Sequence, residues 1–152
     1  MYEVTEKILR EVRKVIVGKD DVVEKVWISI LAQGHVLLED CPGVGKTTLA
    51  VAFSRALGLS NKRVQFTPDT LPSDITGFTM YSRETGRFEY REGAANCQLL
   101  LADEINRTSP KTQSALLEVM EERTITVDGE THALPAPFIC IATQNPFGFA
   151  GT

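Results

Sequence analysis

Residues 38–48 read LEDCPGVGKTT, and this stretch decides the fold of the chain. An apolar strand over 36–39 runs into it, and a helix is predicted to begin at Lys46 and to continue to residue 58. Glycines between a strand and a helix let backbone N–H groups converge on phosphate oxygens, and the helix dipole turns its positive end towards the same anion. The stretch therefore predicts a phosphate-binding loop.

The polar residues of this loop have distinct predicted roles. The Lys46 ammonium reaches the terminal phosphates, and the Thr47 hydroxyl is a predicted ligand of Mg²⁺. Asp40 stands where the usual pattern has its first glycine, but the two glycines nearest the phosphates are present. The residues of this segment that are predicted to contact the nucleotide are Asp40, Cys41, Pro42, Gly43, Val44, Gly45, Lys46, Thr47 and Thr48.

A pair of acids follows a second apolar run. Residues 99–104 read LLLADE, so Asp103 and Glu104 lie at the carboxyl end of a predicted buried strand. Two adjacent buried carboxylates are costly without a cation, which nucleotide-bound Mg²⁺ supplies. We predict that Asp103 binds Mg²⁺ and that Glu104 polarises the water that attacks the γ-phosphate. Taken alone, the pair also fits a helix cap or a surface acidic pair, but its combination with Lys46 and Thr47 favours catalysis.

A third apolar run ends in amides and a hydroxyl. Residues 139–146 read ICIATQNP, and Pro146 stops the strand. Because the carboxyl ends of parallel strands meet at one edge of a sheet, we expect Asn145 to lie within reach of the γ-phosphate and the attacking water. The alternative interpretation is an ordinary Asn-Pro turn.

The length and composition of the chain favour some classes of protein and argue against others. At 152 residues, the chain is long enough for one domain with a hydrophobic core. Its net charge of −4 argues against broad non-specific nucleic-acid binding. No uninterrupted apolar stretch approaches the ~18 residues of a membrane span. The three cysteines, Cys41, Cys97 and Cys140, are odd in number and widely spaced, which favours buried thiols in a reducing compartment and predicts a cytoplasmic protein.

The hydrophobic patterns predict an open α/β sheet with helices on both faces. Strands are expected at 36–39, 63–66, 99–103 and 138–143, and helices at 2–16, 21–33, 46–58 and 110–122. Three of the strands are continuously apolar, as in a parallel sheet covered on both faces, whereas the alternating run at 63–66 predicts an edge strand. Two further stretches, 78–90 and 124–134, read as β-hairpins inserted into this frame.

These segments together resemble the MoxR family of AAA+ ATPases. The likeness covers nearly the whole chain and is carried by HVLLEDCPGVGKTT at 35–48, RVQFTPDTLPSDITG at 63–77, LLLADEINR at 99–107, PKTQSALLEVMEE at 110–122 and IATQNP at 141–146. The resemblance implies a P-loop NTPase sheet in the order 5-1-4-3-2, with one hairpin inserted in the second helix and another before the sensor strand.

The resemblance also implies a set of residue roles and partners. Val17 and Gly18 would line the adenine pocket, Asp103 and Glu104 would form the Walker B pair, and Asn145 would be sensor 1. The family resembles chaperones: its members form rings, commonly hexamers, that use ATP and Mg²⁺ to remodel or mature other proteins. A von Willebrand A-domain protein is an expected partner.

Family members continue beyond the position of Thr152 into a fifth strand, an arginine finger and a helical lid. We therefore expect residues 1–152 to form an incomplete large α/β subdomain of the ATPase. Such a chain is expected to bind ATP but to hydrolyse it poorly, because an arginine finger contributes about 10³–10⁵ in rate. The strand at 36–39 is expected to leave an apolar sheet edge exposed.

Several other functions share parts of this pattern. A non-enzymatic, nucleotide-gated interaction module is the main alternative, and a DNA motor or transcription activator of the same clade is another. A small-molecule kinase would need an acceptor pocket and an arginine lid. A GTPase switch would need an Asn-Lys-x-Asp segment, which the sequence lacks.

Overall fold

The computed structural model describes residues 2–39 and 45–145. Within them, five α-helices, one 3₁₀ turn and eight strands follow one another along the chain. The helices are α1 (Tyr2–Arg13), α2 (Asp20–Leu31), α3 (Lys46–Leu57), α4 (Pro72–Thr76) and α5 (Pro110–Glu122), with the 3₁₀ turn at Ile105–Arg107. The strands are β1 (Val36–Glu39), β2 (Asn61–Gln65), β3 (Gly77–Ser82), β4 (Arg87–Glu92), β5 (Leu99–Asp103), β6 (Thr124–Val127), β7 (Glu130–Ala133) and β8 (Ile139–Gln144).

The central sheet is parallel and has the strand order β1-β8-β5-β2. If the two hairpins are left out of the count, this is the order 1-4-3-2, so the predicted α/β P-loop fold is confirmed. The strands β5 and β8 occupy the centre, where their continuous apolar runs are covered on both faces. The alternating strand β2 lies at one edge, as predicted, and β1 lies at the other edge of the described sheet.

Successive side chains of the central strands pack alternately into two separate hydrophobic cores. Leu99, Leu101 and Ile141 pack with α1, α2 and α3, in a cluster that includes the fully buried Phe53. The intervening residues Leu100, Ala102, Cys140 and Ala142 pack with α5 and the second hairpin on the opposite face. This two-sided burial places the polar ends of β5 and β8 at one edge of a rigid sheet.

The helix boundaries follow local signals. Helix α5 begins as predicted, because Ser109 accepts a hydrogen bond from the Thr112 N–H at 3.3 Å and Pro110 takes the first helical position. Helix α1 ends three residues before the predicted boundary at residue 16, and α2 ends two residues before residue 33. Helix α4 and the 3₁₀ turn were not predicted, because such short elements carry no readable periodicity. None of the described helices combines the length and apolarity needed to cross a bilayer.

Both predicted hairpins are present, as β3–β4 and β6–β7. In the second, Asp128 and Gly129 have φ angles of 50° and 80°, as the predicted two-residue turn requires. The ring of Tyr90 in the first hairpin stacks on His132 in the second at a centroid distance of 4.0 Å. The two insertions therefore pack against each other on one side of the sheet.

The two described cysteines, Cys97 and Cys140, are buried and form no disulfide. Burial raises the pKa of Cys97 to about 11 and that of Cys140 to about 12. Both thiols are therefore neutral at physiological pH and act as small apolar side chains, as predicted. Cys41 lies outside the described residues.

The side chain of His35, directly before β1, makes hydrogen bonds to β8 and to the last turn of α5. Its Nδ1 accepts a hydrogen bond from the Cys140 N–H at 2.9 Å, and its Nε2 lies 2.8 Å from the Met120 carbonyl oxygen. A carbonyl can only accept, so the single ring proton resides on Nε2 and the imidazole is neutral. Burial, with a smaller contribution from the positive charge of Arg123, lowers the pKa of His35.

The free energy of unfolding is expected to fall as the pH drops below the unfolded-state pKa of His35, about 6.5. Because the folded-state pKa is the lower of the two, the unfolded chain binds the proton more readily throughout the interval between them. The decrease in the free energy of unfolding is smaller than the limit for one proton, which is about 1.4 kcal/mol per pH unit. The measurement is the urea midpoint between pH 7.5 and 5.5 for wild type and His35→Asn. An equal pH dependence in both proteins would contradict the prediction.

Candidate functional site

The predicted site residues lie at the carboxyl ends of the central strands and at the start of α3. Asp103 ends β5 and Glu104 follows it, while Asn145 follows β8. Lys46 opens α3 directly after Gly45, whose φ of 72° is in the left-handed region that glycine adopts without strain. The positive charge of Lys46 acts on the Asp103 carboxylate and contributes to lowering its pKa. The charge of the predicted phosphate-binding lysine therefore acts on the predicted metal ligand.

Asp103 is held from both sides by the strands that flank β5. Arg63 of β2 donates from Nη2 to Oδ2 at 2.8 Å, and the Thr143 hydroxyl of β8 donates to Oδ1 at 2.5 Å. Burial by itself raises the pKa of Asp103, but the hydrogen bonds from Thr143 and Arg63 and the charges of Arg63 and Lys46 outweigh it and lower the pKa overall. Asp103 is therefore an ionised carboxylate with a fixed orientation.

Glu104 adopts an uncommon backbone conformation beside it. Its φ of 57° and ψ of 55° lie in the left-handed region, which a residue with a side chain enters at some cost. Its N–H donates to the Thr143 hydroxyl at 2.9 Å, and its carboxylate accepts a hydrogen bond from Arg107 at 3.2 Å. The reversal turns the Glu104 side chain away from the strand direction, and Arg107 holds the carboxylate in a partly exposed position.

Asn145 is tied to the turn that follows Glu104. The Asn106 side-chain amide donates to the Asn145 carbonyl oxygen at 3.0 Å. At the far edge, the Gln144 amide donates to the Glu39 carboxylate at the end of β1. These bonds link the ends of β1, β8 and β5 into one polar edge.

Mg²⁺ prefers oxygen ligands and keeps several waters and substrate phosphates in its coordination shell. Asp103 supplies an ionised carboxylate, and Thr47 is an exposed hydroxyl in the first turn of α3. Among the described residues there is no group of three or more His, Cys, Asp or Glu side chains that could bind a metal by themselves. The ionised Asp103 carboxylate fits Mg²⁺ that a nucleotide carries in, whereas Thr47 lines a different groove.

A cavity of about 260 Å³ lies beside Lys46. It is lined by Ile16, Lys19, Val22, Leu37, Leu38, Glu39, Gly45, Lys46 and Leu49. The predicted adenine-pocket residues Val17 and Gly18 lie in the segment between two of these lining residues, and the Val17 side chain is 83% exposed. Neither residue lines the cavity, whose apolar lining on either side of them includes Ile16 and Val22.

Two of the predicted phosphate-loop residues that the structure describes do not line this cavity. Thr47 and Thr48 are exposed and line a neighbouring groove between α1 and α3, together with Glu11 and Arg55. The predicted loop residues Asp40, Cys41, Pro42, Gly43 and Val44 lie outside the described residues.

Sequence reasoning missed three side chains that hold the acid pair, namely Arg63, Arg107 and Thr143. The alternation of β2 could have indicated Arg63, because it puts Arg63 and Gln65 on the same face of the strand. Gln65 pairs in register with Asp103, so Arg63 lies near that carboxylate. Arg107 stands three residues after Glu104, the spacing of neighbours on a helical turn. Thr143 carried no signal of its own, because its contacts depend on how β8 lies against β5.

This parallel sheet, with a lysine at the start of a helix and an acid pair at the end of a central strand, has the α/β P-loop fold of the AAA+ type. Comparison with known proteins agrees. The model of the ATPase family associated with various cellular activities (AAA) matches residues 35–152. The chain belongs to this family, and within it to the MoxR family of AAA+ ATPases.

Individual relatives support this assignment. Over 146 residues, the chain is 54% identical to Uncharacterized protein YeaC of Bacillus subtilis and 46% identical to Chaperone MoxR1 of Mycobacterium tuberculosis. Each match covers 96% of this chain, but only 46% and 39% of the respective relative. A crystal structure of a protein from Cytophaga hutchinsonii, itself predicted to be an ATPase, superposes with a TM-score of 0.87 at 41% identity, covering 99% of this chain and 46% of that one. The chain thus spans less than half the length of each of these relatives.

Proposed function

We propose that this chain binds ATP together with Mg²⁺ and forms the nucleotide-binding part of an ATPase that remodels or matures partner proteins. The observation that carries the proposal is the ionised Asp103 carboxylate, held by Arg63 and Thr143 and acted on by the charge of Lys46. An ammonium group and a fixed carboxylate close to each other can bind a phosphate and its metal ion at the same time. This is the arrangement that phosphoryl transfer needs, because its catalysis is mainly positioning and charge stabilisation.

Each residue then has a role in the reaction. Lys46 binds the terminal phosphates, and Asp103 would hold Mg²⁺, which would neutralise charge that develops on the phosphate oxygens. Thr47 would serve as a second ligand only if its hydroxyl turned from the neighbouring groove towards the metal. Glu104 takes a proton from the attacking water, and its carboxylate is partly exposed, so water can reach it. Asn145, which follows the neighbouring strand β8, would contact the γ-phosphate or that water.

The assembly is part of the same proposal. We infer a ring, most simply a hexamer, in the complete protein, with protein clients and a von Willebrand A-domain partner. Support comes from family membership and from the name of the relative Chaperone MoxR1. Work in the cytoplasm is inferred from the neutral, buried thiols of Cys97 and Cys140.

The direct test is nucleotide binding by the purified chain, measured by isothermal titration calorimetry. ATP should bind in the presence of Mg²⁺, should bind more weakly when EDTA replaces the metal, and should be displaced by ADP in preference to GTP. Binding that is indifferent to Mg²⁺ would contradict the assigned role of Asp103. A chain that binds neither ATP nor ADP would refute the proposed function.

A further inference from the structure

The hydroxyl of Thr143 lies between the two acids of the site. Thr143 is the fifth residue of β8 and its side chain is only 1% exposed. Its Oγ1 contacts the Asp103 carboxylate at 2.5 Å and the Glu104 N–H at 2.9 Å. One buried hydroxyl of the neighbouring strand therefore touches both residues that are assigned to metal binding and to water activation.

The chemistry of the three groups determines the direction of each bond. An ionised carboxylate can only accept, so the single hydroxyl proton of Thr143 points to Asp103. A lone pair of the same oxygen is then left to accept the Glu104 N–H. The result is a chain of N–H, O–H and carboxylate in which each bond polarises the next. Replacing the hydroxyl with a methyl group would break both bonds at once.

We propose that Thr143 is the positioning residue of the acid pair: it fixes the Asp103 carboxylate and stabilises the left-handed backbone of Glu104 that aims the catalytic side chain. The inference rests on the proposed ATPase function. Because its side chain is buried and bonds to both acids, Thr143 acts through them. Because Asn145 stands two residues further along the same backbone, a shift of β8 would move the acid pair and the predicted sensor together.

Two substitutions separate the hydroxyl from the volume of the side chain. Thr143→Val keeps the β-branched shape and removes the hydroxyl, whereas Thr143→Ser keeps the hydroxyl and removes the methyl group. The first readout is amide hydrogen exchange of Glu104, measured by NMR without nucleotide. Thr143→Val should speed this exchange at least about fivefold, the equivalent of one net hydrogen bond, and Thr143→Ser should leave it protected.

The second readout separates rate from affinity. In single-turnover ATP hydrolysis by the complete protein, with protein in excess over ATP, Thr143→Val should be about 10- to 100-fold slower than wild type, because the catalytic side chain loses its alignment. The dissociation constant for ATP should stay within about threefold, since Lys46 is unchanged. Thr143→Ser should restore most of the rate. If Thr143→Val shows no cooperative melting transition, Thr143→Ala, which lacks the same hydroxyl, takes its place in both measurements.

The outcomes are distinct. Slow hydrolysis and rapid Glu104 exchange in the valine variant, with both restored in the serine variant, support the inference. Equal losses in the two variants would show that packing of β8 matters and the hydroxyl does not, which overturns the inference. So would a wild-type Glu104 amide that exchanges without protection, or a valine variant with the wild-type rate. A wild-type chain that binds no ATP instead refutes the proposed function, and the inference with it.

Discussion

Lys46→Ala is expected to weaken ATP binding by about 10- to 100-fold. A hydrogen bond between a charged donor and a charged acceptor contributes about 1.5–3 kcal/mol, and alanine leaves the terminal phosphates without this partner. The Asp103 carboxylate also loses a nearby positive charge, so its pKa should rise towards the ordinary value. The variant should fold normally, because Lys46 lies in the first turn of α3 and outside both cores. Isothermal titration calorimetry with ATP and Mg²⁺ measures the effect directly.

The matched control for this variant is Lys25→Ala. Lys25 is an exposed residue of α2, and its replacement removes the same charge from the surface and leaves the site intact. Wild-type affinity in Lys25→Ala together with weak binding in Lys46→Ala would locate the effect at the phosphate site. A similar loss in both variants would mean that net charge controls ATP binding, and retention of affinity in both would exclude Lys46 as a phosphate ligand.

In the complete protein, Glu104→Gln is expected to slow ATP hydrolysis by about 10²–10⁴-fold while leaving ATP affinity nearly unchanged. General-base catalysis commonly contributes a factor of this size, and the glutamine amide cannot take a proton from water. Glutamine is close to glutamate in shape and keeps an oxygen that can accept the hydrogen bond from Arg107. The backbone bond from the residue 104 N–H to Thr143 is also kept. Single-turnover hydrolysis and calorimetry on the same sample separate rate from binding.

Glu118→Gln provides the same chemical change at an exposed position of α5 and should hydrolyse ATP at the wild-type rate. If Glu104→Gln were as active as this control, another group would have to activate the water. If it lost ATP binding instead, Glu104 would belong to the nucleotide-binding set and its assignment as the base would be wrong.

Many of the strands, helices and turns could be predicted from the sequence, because short local patterns determine them. The continuous apolar runs of β5 and β8 predicted strands buried on both faces, and alternation in β2 predicted the edge. Ser109 and Pro110 specified the start of α5 to the residue. The DG dipeptide at 128–129 specified the turn of the second hairpin. These signals lie within a few residues of the structure that they determine.

Element ends were less predictable. Helix α1 stops at Arg13 although its apolar spacing continues to Ile16, and β2 begins at Asn61, before its alternation becomes visible. The short helix α4 showed no pattern at all. For β2, pairing with a distant segment decides the boundary, because the register with β5 extends the strand to Asn61.

What the sequence determined by itself was the class of protein and the identity of the reactive groups. The loop around Lys46, the acids Asp103 and Glu104 and the amide of Asn145 are each a short motif whose chemistry follows from the residue types. What only the tertiary structure decided was how the acids are held. Arg63 and Thr143 are 40 residues from Asp103 in opposite directions along the chain. They meet it only because β2 and β8 flank β5, and hydrogen bonds across a sheet depend on strand order and register, which no local pattern encodes.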